Sequence, residues 1–191
     1  MKHLYHVTLA ANLEGIADHG LRAGGGSSFG GGYEGHARGR VFLSERGAVR
    51  CWWGKIEDLV EHHNEGRDII PNLQVPVVLR VSLSDVAPLA VASVDRPGGG
   101  WGRKKLVEDP LGSRDCLGGR SFYVESAVIR PGGIEVWDGQ RWHPVRTIDP
   151  EDAMRAYVKS VKVVEGDDGY GGEGEEGWTE VTLQLPGSWP P

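Results

Sequence analysis

Leu4-Tyr5-His6-Val7-Thr8, followed by Asn12-Leu13-Glu14-Gly15-Ile16 and His19-Gly20-Leu21, is the stretch on which the fold turns. Residues 3–8 read as a short buried strand. Residues 10–19 read as a helix, because Leu13, Ile16 and Ala17 recur at i, i+3 and i+4 and give it one apolar face. Thr8 stands where it could cap the start of that helix, and Gly20 supplies its stop. Alternate residues of a strand share a face. His6 and Thr8 therefore present a ring nitrogen and a hydroxyl side by side, a pairing suited to gripping a polar ligand.

Outward from this opening, residues 23–39 form a long Gly-rich loop carrying Tyr33, His36 and Arg38. A loop of this length is either an insertion without a role or a lid beside a ligand. It lacks the Gly-Lys-Ser/Thr of a phosphate-cradling loop. Arg40-Val41-Phe42-Leu43-Ser44 reads as the second strand. A helix follows over about 46–63, with Val49, Trp52, Trp53, Ile56, Leu59 and Val60 at helical spacing. Trp52 and Trp53 suit core packing. His62 and His63 near its end have no further ligand pair at metal spacing, so a solvated last turn is the reading there. Residues 74–83 make the strongest strand. It is apolar on both faces in its first half, as a central strand is, and Pro76 stands at its start.

Residues 84–120 show little regular pattern. Within them Trp101, Arg103, Lys104 and Lys105 belong to the one basic and aromatic cluster. Cations and an indole on a Gly-rich loop suit a nucleic-acid strand or a phosphate, and equally an ordinary exposed loop. Residues 121–129 read as one strand, and Ile134–Trp137 with Arg141–Val145 as a hairpin turned by Asp138-Gly139. A helix over about 150–160 begins with Asp149 as cap and Pro150 at its first position. Strands over about 161–164 and 178–185 follow, joined by an acidic Gly-rich loop.

The chain has 191 residues, a net charge of −6 and 30 glycines, and its hydrophobic share of 39% is enough for a core. That charge argues against a surface coated for sequence-blind nucleic-acid binding, while leaving room for a local basic patch. Cys51 and Cys116 are the only cysteines. Isolated and without metal spacing, they fit a reducing compartment. No run resembles a signal peptide or approaches a membrane span, so the expectation is a cytoplasmic protein with no membrane partner and no metal.

Three patches carry a resemblance. Tyr5-His6-Val7-Thr8, Asn12-Leu13, Ile16 and Gly20-Leu21-Arg22 resemble the opening of the ADP-ribosyltransferase (ART) fold, nearest the RNA 2'-phosphotransferases and the DNA ADP-ribosyltransferase toxins. Leu43-Ser44 with Ala48 and an aromatic beyond resembles the second motif. A strand ending in Ile129-Arg130-Pro131, then Ile134, is similar to the close of the core. The resemblance implies an α+β fold, with an ART-like core of mixed, strongly bent sheet over residues 1–148. Residues 149–191 would form a helix–strand appendage packed on the same domain.

It also implies NAD as substrate. His6 would hold the ribose, Thr8 and Ser44 the nicotinamide end, and Tyr33 could stack there. Glu125 would be the catalytic carboxylate, although it could instead alternate outward. Arg40 or Arg80 could meet the pyrophosphate, since a guanidinium can engage phosphate oxygens in a bidentate way. The implied activity is ADP-ribosyl transfer by a monomer to a nucleic acid or protein acceptor, as in a toxin or a phage-defence protein. The alternatives are another glycosidic or phosphate-removing enzyme on nucleic acid, and an NAD-independent recognition module using the 95–105 loop.

Overall fold

The structure is a computed structural model and describes residues 3–22, 39–64, 69–82, 90–92, 101–103, 106–125, 128–164 and 178–186. Strand β1 (His3–Leu9) leads through a single 3-10 turn (Ala10–Asn12) into helix α1 (Leu13–His19). Gly20 ends α1 at a φ of 83°, with its N–H on the Ile16 carbonyl. A Cβ there would also run into the Ile129 carbonyl, so glycine is required twice over. Strands β2 (Leu21–Arg22) and β3 (Arg40–Ser44) follow, and a 3-10 turn (Arg46–Ala48) opens helix α2 (Val49–Asn64). Next come β4 (Pro76–Ser82), β5 (Ala90–Ala92), β6 (Trp101–Arg103), β7 (Val107–Glu108) and helix α3 (Pro110–Asp115). The chain continues through β8 (Ser121–Glu125), β9 (Val128–Ile129), β10 (Ile134–Trp137) and β11 (Trp142–Pro144) to helix α4 (Pro150–Arg155) and strands β12 (Val158–Val164) and β13 (Trp178–Leu183).

Seven strands form the main sheet in the order β11-β10-β4-β1-β3-β8-β7. The pairings among the described residues are antiparallel, which corrects the expectation of a mixed sheet. At its centre, β4 buries Val77, Val78, Leu79 and Val81 completely, as its unbroken apolar run predicts. Burying a side chain of this size is worth roughly 1.5–3 kcal/mol. One hydrophobic cluster joins Leu4 and Leu43 of the sheet, Trp53 and Ile56 of α2, and Met154 and Tyr157 from the C-terminal part. Trp52 and Trp53 both pack inward. Their indole N–H groups bond the Ser121 hydroxyl at 3.0 Å and the Pro76 carbonyl at 2.9 Å.

Tyr157 sits where the pairing of β4 with β10 stops. The last matched residues are Leu79 and Val136, and one step further Val78 would face Trp137. There the buried Tyr157 hydroxyl accepts the Val78 N–H and donates to the Trp137 carbonyl, both at 3.1 Å. One side chain thus bridges two backbone groups that the ladder would otherwise have joined.

Several local expectations change. Thr8 caps nothing: Leu9 precedes the 3-10 turn without a side-chain bond, and the Thr8 hydroxyl accepts the Asn12 side-chain amide at 2.9 Å. Residues 121–129 are two strands, because β8 pairs with β3 while β9 pairs with β2. Among its described residues the region 84–120 holds three short strands and a helix. Asp138-Gly139 is part of a four-residue loop between Trp137 and Trp142, because Asp138 Oδ1 accepts the backbone N–H groups of Gln140 and Arg141 at 2.8 and 2.7 Å. Helix α4 is shorter than expected, with Asp149 capping it through the Glu151 N–H as its sequence indicates.

Cys51 and Cys116 form a disulfide, and no free cysteine is present. This corrects the reading of two isolated thiols and removes cysteine usage as an argument for a reducing compartment. The disulfide belongs to a dense junction between the start of α2 and the α3–β8 connection. Glu45 receives the Arg120 guanidinium at 2.7 and 2.9 Å, which holds its carboxyl below the ordinary range. Lys55 meets Asp115 at 3.4 Å. Gly47 and Gly118 approach so closely that a Cβ on either would overlap the other's carbonyl. No helix among the described residues is long and apolar enough to cross a membrane.

Candidate functional site

The site begins where β1 and β3 part. They share one matched pair, Tyr5 with Ser44, and beyond it β1 keeps its full ladder with β4 instead. In the gap the His6 ring takes over a backbone role: Nδ1 bonds the Phe42 carbonyl at 2.8 Å. A carbonyl can only accept, so Nδ1 carries the proton and Nε2 is left as an acceptor. Desolvation by burial holds His6 below the usual histidine value, against the opposing pull of the Phe42 carbonyl, so the ring is neutral at pH 7.

A cleft of about 420 Å³ opens at this splay, within the ~300–1,000 Å³ span of small-molecule sites. Its polar lining comes from His6, Thr8, Asn12, His19, Arg22 and Arg40. Ile16 and Leu21 from one side and Ile56, Leu59 and Val60 of α2 from another supply apolar walls. The Thr8 oxygen takes the Asn12 amide, which leaves its own hydroxyl proton for a ligand. The Arg22 guanidinium is exposed and anchored through Nε to the His19 carbonyl at 3.3 Å.

Glu125 stands outside this lining but is tied to it. Its strand pairs Glu125 with Arg40 across β3 and β8. Arg40 donates from Nε at 3.1 Å and from Nη2 at 2.9 Å to the same carboxylate oxygen, Oε1. The guanidinium also lies over the Tyr123 ring, 4.3 Å from its centroid. Among the described residues Oε2 takes no hydrogen bond, and the Glu125 side chain is 54% exposed.

The structure therefore brings together His6, Thr8 and Arg40, with Glu125 attached through Arg40. It places Ser44 elsewhere, buried at the paired end of β3 opposite Tyr5 and Ser121. Arg80 is also not part of the cleft lining. It is held by Glu135 and stacked on Trp142 at 4.6 Å. Tyr33, Lys104 and Lys105 lie outside the described residues. Trp101 and Arg103 fall in β6, which pairs with β5, and only their backbone is described. Among the described residues no group of three or more His, Cys, Asp or Glu side chains could hold a metal ion.

Asn12, His19 and Arg22 are cleft residues given no role from sequence. Asn12 stands four residues after Thr8, which would have flagged it as a partner. His19 and Arg22 flank the Gly20 turn that brings β2 back to the cleft.

No family model matches the chain, and no curated protein or solved structure matches it.

Proposed function

We propose that this chain is an NAD-dependent ADP-ribosyltransferase built on an ART-like core, acting on a nucleic acid or protein acceptor. The supporting observation is the His6–Thr8 pair in one cleft at the parting of β1 and β3. His6 Nε2, fixed as an acceptor, accepts a hydrogen bond from a ribose hydroxyl, and the Thr8 hydroxyl donates to the nicotinamide carboxamide. The apolar walls hold the flat rings. NAD is consumed as a substrate: the bond between nicotinamide and ribose C1' breaks, nicotinamide leaves with the bonding pair, and positive charge grows on the sugar. The Glu125 carboxylate stabilises that charge and receives the acceptor's proton as the new bond to C1' forms.

The test is nicotinamide release and intact mass with NAD, alone and with short single-stranded DNA, RNA or a protein mixture. Release together with a gain of one ADP-ribose on an acceptor is the expected result. Glu125→Gln should lower the rate roughly 100-fold or more, and His6→Ala should weaken NAD binding. Absence of both NAD binding and nicotinamide release would overturn the reading in favour of a recognition module.

A further inference from the structure

The two groups expected to act on different parts of NAD, Arg40 on the pyrophosphate and Glu125 on the ribose, are bonded to each other. Both nitrogens that Arg40 directs at Glu125 converge on Oε1, and these are the donors with which a guanidinium would grip a phosphate side-on. While the pair stands, Arg40 cannot offer that fork to a phosphate, and Glu125 holds its carboxylate on Arg40, outside the cleft lining.

The pair is also built to exchange. Arg40 is 22% exposed and Glu125 54%, so water already reaches both partners and the ion pair is a weak one. The Tyr123 ring beneath the guanidinium is an uncharged support that keeps Arg40 in place when the Glu125 contact changes. Among the described residues Glu125 Oε2 takes no hydrogen bond, so the carboxylate has the two Arg40 bonds at Oε1 to give up.

We propose that Arg40 is an anion subsite of the cleft, held by the Glu125 carboxylate in this structure and taken over by a phosphate of the bound ligand, which releases Glu125 toward the reacting sugar. The subsite rests on the reading of the cleft as a nucleotide site, and it makes the carboxylate available only when a phosphate-bearing ligand is seated. No bond is made or broken; one charge-assisted contact replaces another.

ADP, which carries the phosphates and lacks nicotinamide, is the probe. Its affinity is measured calorimetrically on the intact chain for wild type, Glu125→Gln, Glu125→Ala and Arg40→Ala, each first shown to melt cooperatively. Removing the competing carboxylate should tighten ADP binding roughly two- to five-fold, the scale of an exposed ion pair. Arg40→Ala should weaken it, and adding Glu125→Ala to Arg40→Ala should restore nothing. Unchanged or weaker ADP binding in both Glu125 variants would overturn the subsite, as would no ADP binding to any form. The two readings separate cleanly. Tighter ADP binding without NAD cleavage leaves the subsite standing and the transferase reading fallen, while NAD cleavage with unaltered ADP affinity does the reverse.

Discussion

The two ends of strand β3 are built on opposite plans. At Ser44 the chain is fastened from every direction: the strand pairs with β1 and β8, and the neighbouring junction carries a disulfide, the Glu45–Arg120 and Lys55–Asp115 ion pairs, and a Gly-on-Gly contact. At Arg40 the strand has left β1 while keeping its pairing with β8; among the described residues the His6 ring bonds Phe42 across the opening, and Arg40 holds Glu125 on the far side of β3. The difference teaches where a ligand can enter a sheet without a cut in it. The β1–β3 ladder gives way to a side-chain bond at one end while the other end is held fast.

Cutting the fastened end should have the largest effect. The disulfide closes a sequence separation of 65 residues. On the chain-entropy account this is worth about 4 kcal/mol. Cys51→Ser with Cys116→Ser, or reduction, should lower the melting temperature markedly while NAD or ADP affinity changes little. A large loss of affinity at a temperature where the variant stays folded would show that the two ends are not independent. Gly47→Ala comes next. Its Cβ must displace the Gly118 carbonyl, an overpacking of backbone against backbone costing about 3 kcal/mol, read as a lowered urea midpoint with unchanged slope.

At the open end, His6→Ala leaves the Phe42 carbonyl without its partner. The expected cost is about 1–2 kcal/mol, with faster amide exchange confined to Arg40–Leu43 and adjoining β1. Exchange that rises equally near Ser121 would erase the contrast. The smallest effect is that of pH. The folded His6 pKa lies below the unfolded value, so between the two the unfolded chain binds more protons. Its contribution is fully present above about pH 6.5 and declines as pH falls toward the lower folded value. Stability measured from pH 8 down to 5 should show this extra acid sensitivity in wild type and lose it in His6→Gln.

Much of the open end was legible in the sequence, because its determinants are local. His6 and Thr8 follow strand alternation, Gly20 follows from where the helix must stop, and Pro76 with its apolar run marks the central strand. What was not legible depended on partners far along the chain. The disulfide joins two cysteines whose spacing carries no signal. The break within 121–129 follows from β8 and β9 choosing different partner strands. Thr8 reads as a cap by position, yet its hydroxyl is claimed by the Asn12 amide. The Arg40–Glu125 pair needs the register of two strands 85 positions apart in sequence, which no local pattern specifies.

The bridging hydroxyl of Tyr157 has a consequence for biosynthesis. Strands β1, β3 and β4 leave the ribosome early, and domains usually begin to form from the N-terminal side during synthesis. Val78 N–H nonetheless waits for a residue 79 positions later. Until that tyrosine emerges, the seam between β4 and β10 remains ajar in the nascent chain, so the sheet that carries the cleft is sealed late, by the segment that contributes nothing to its lining.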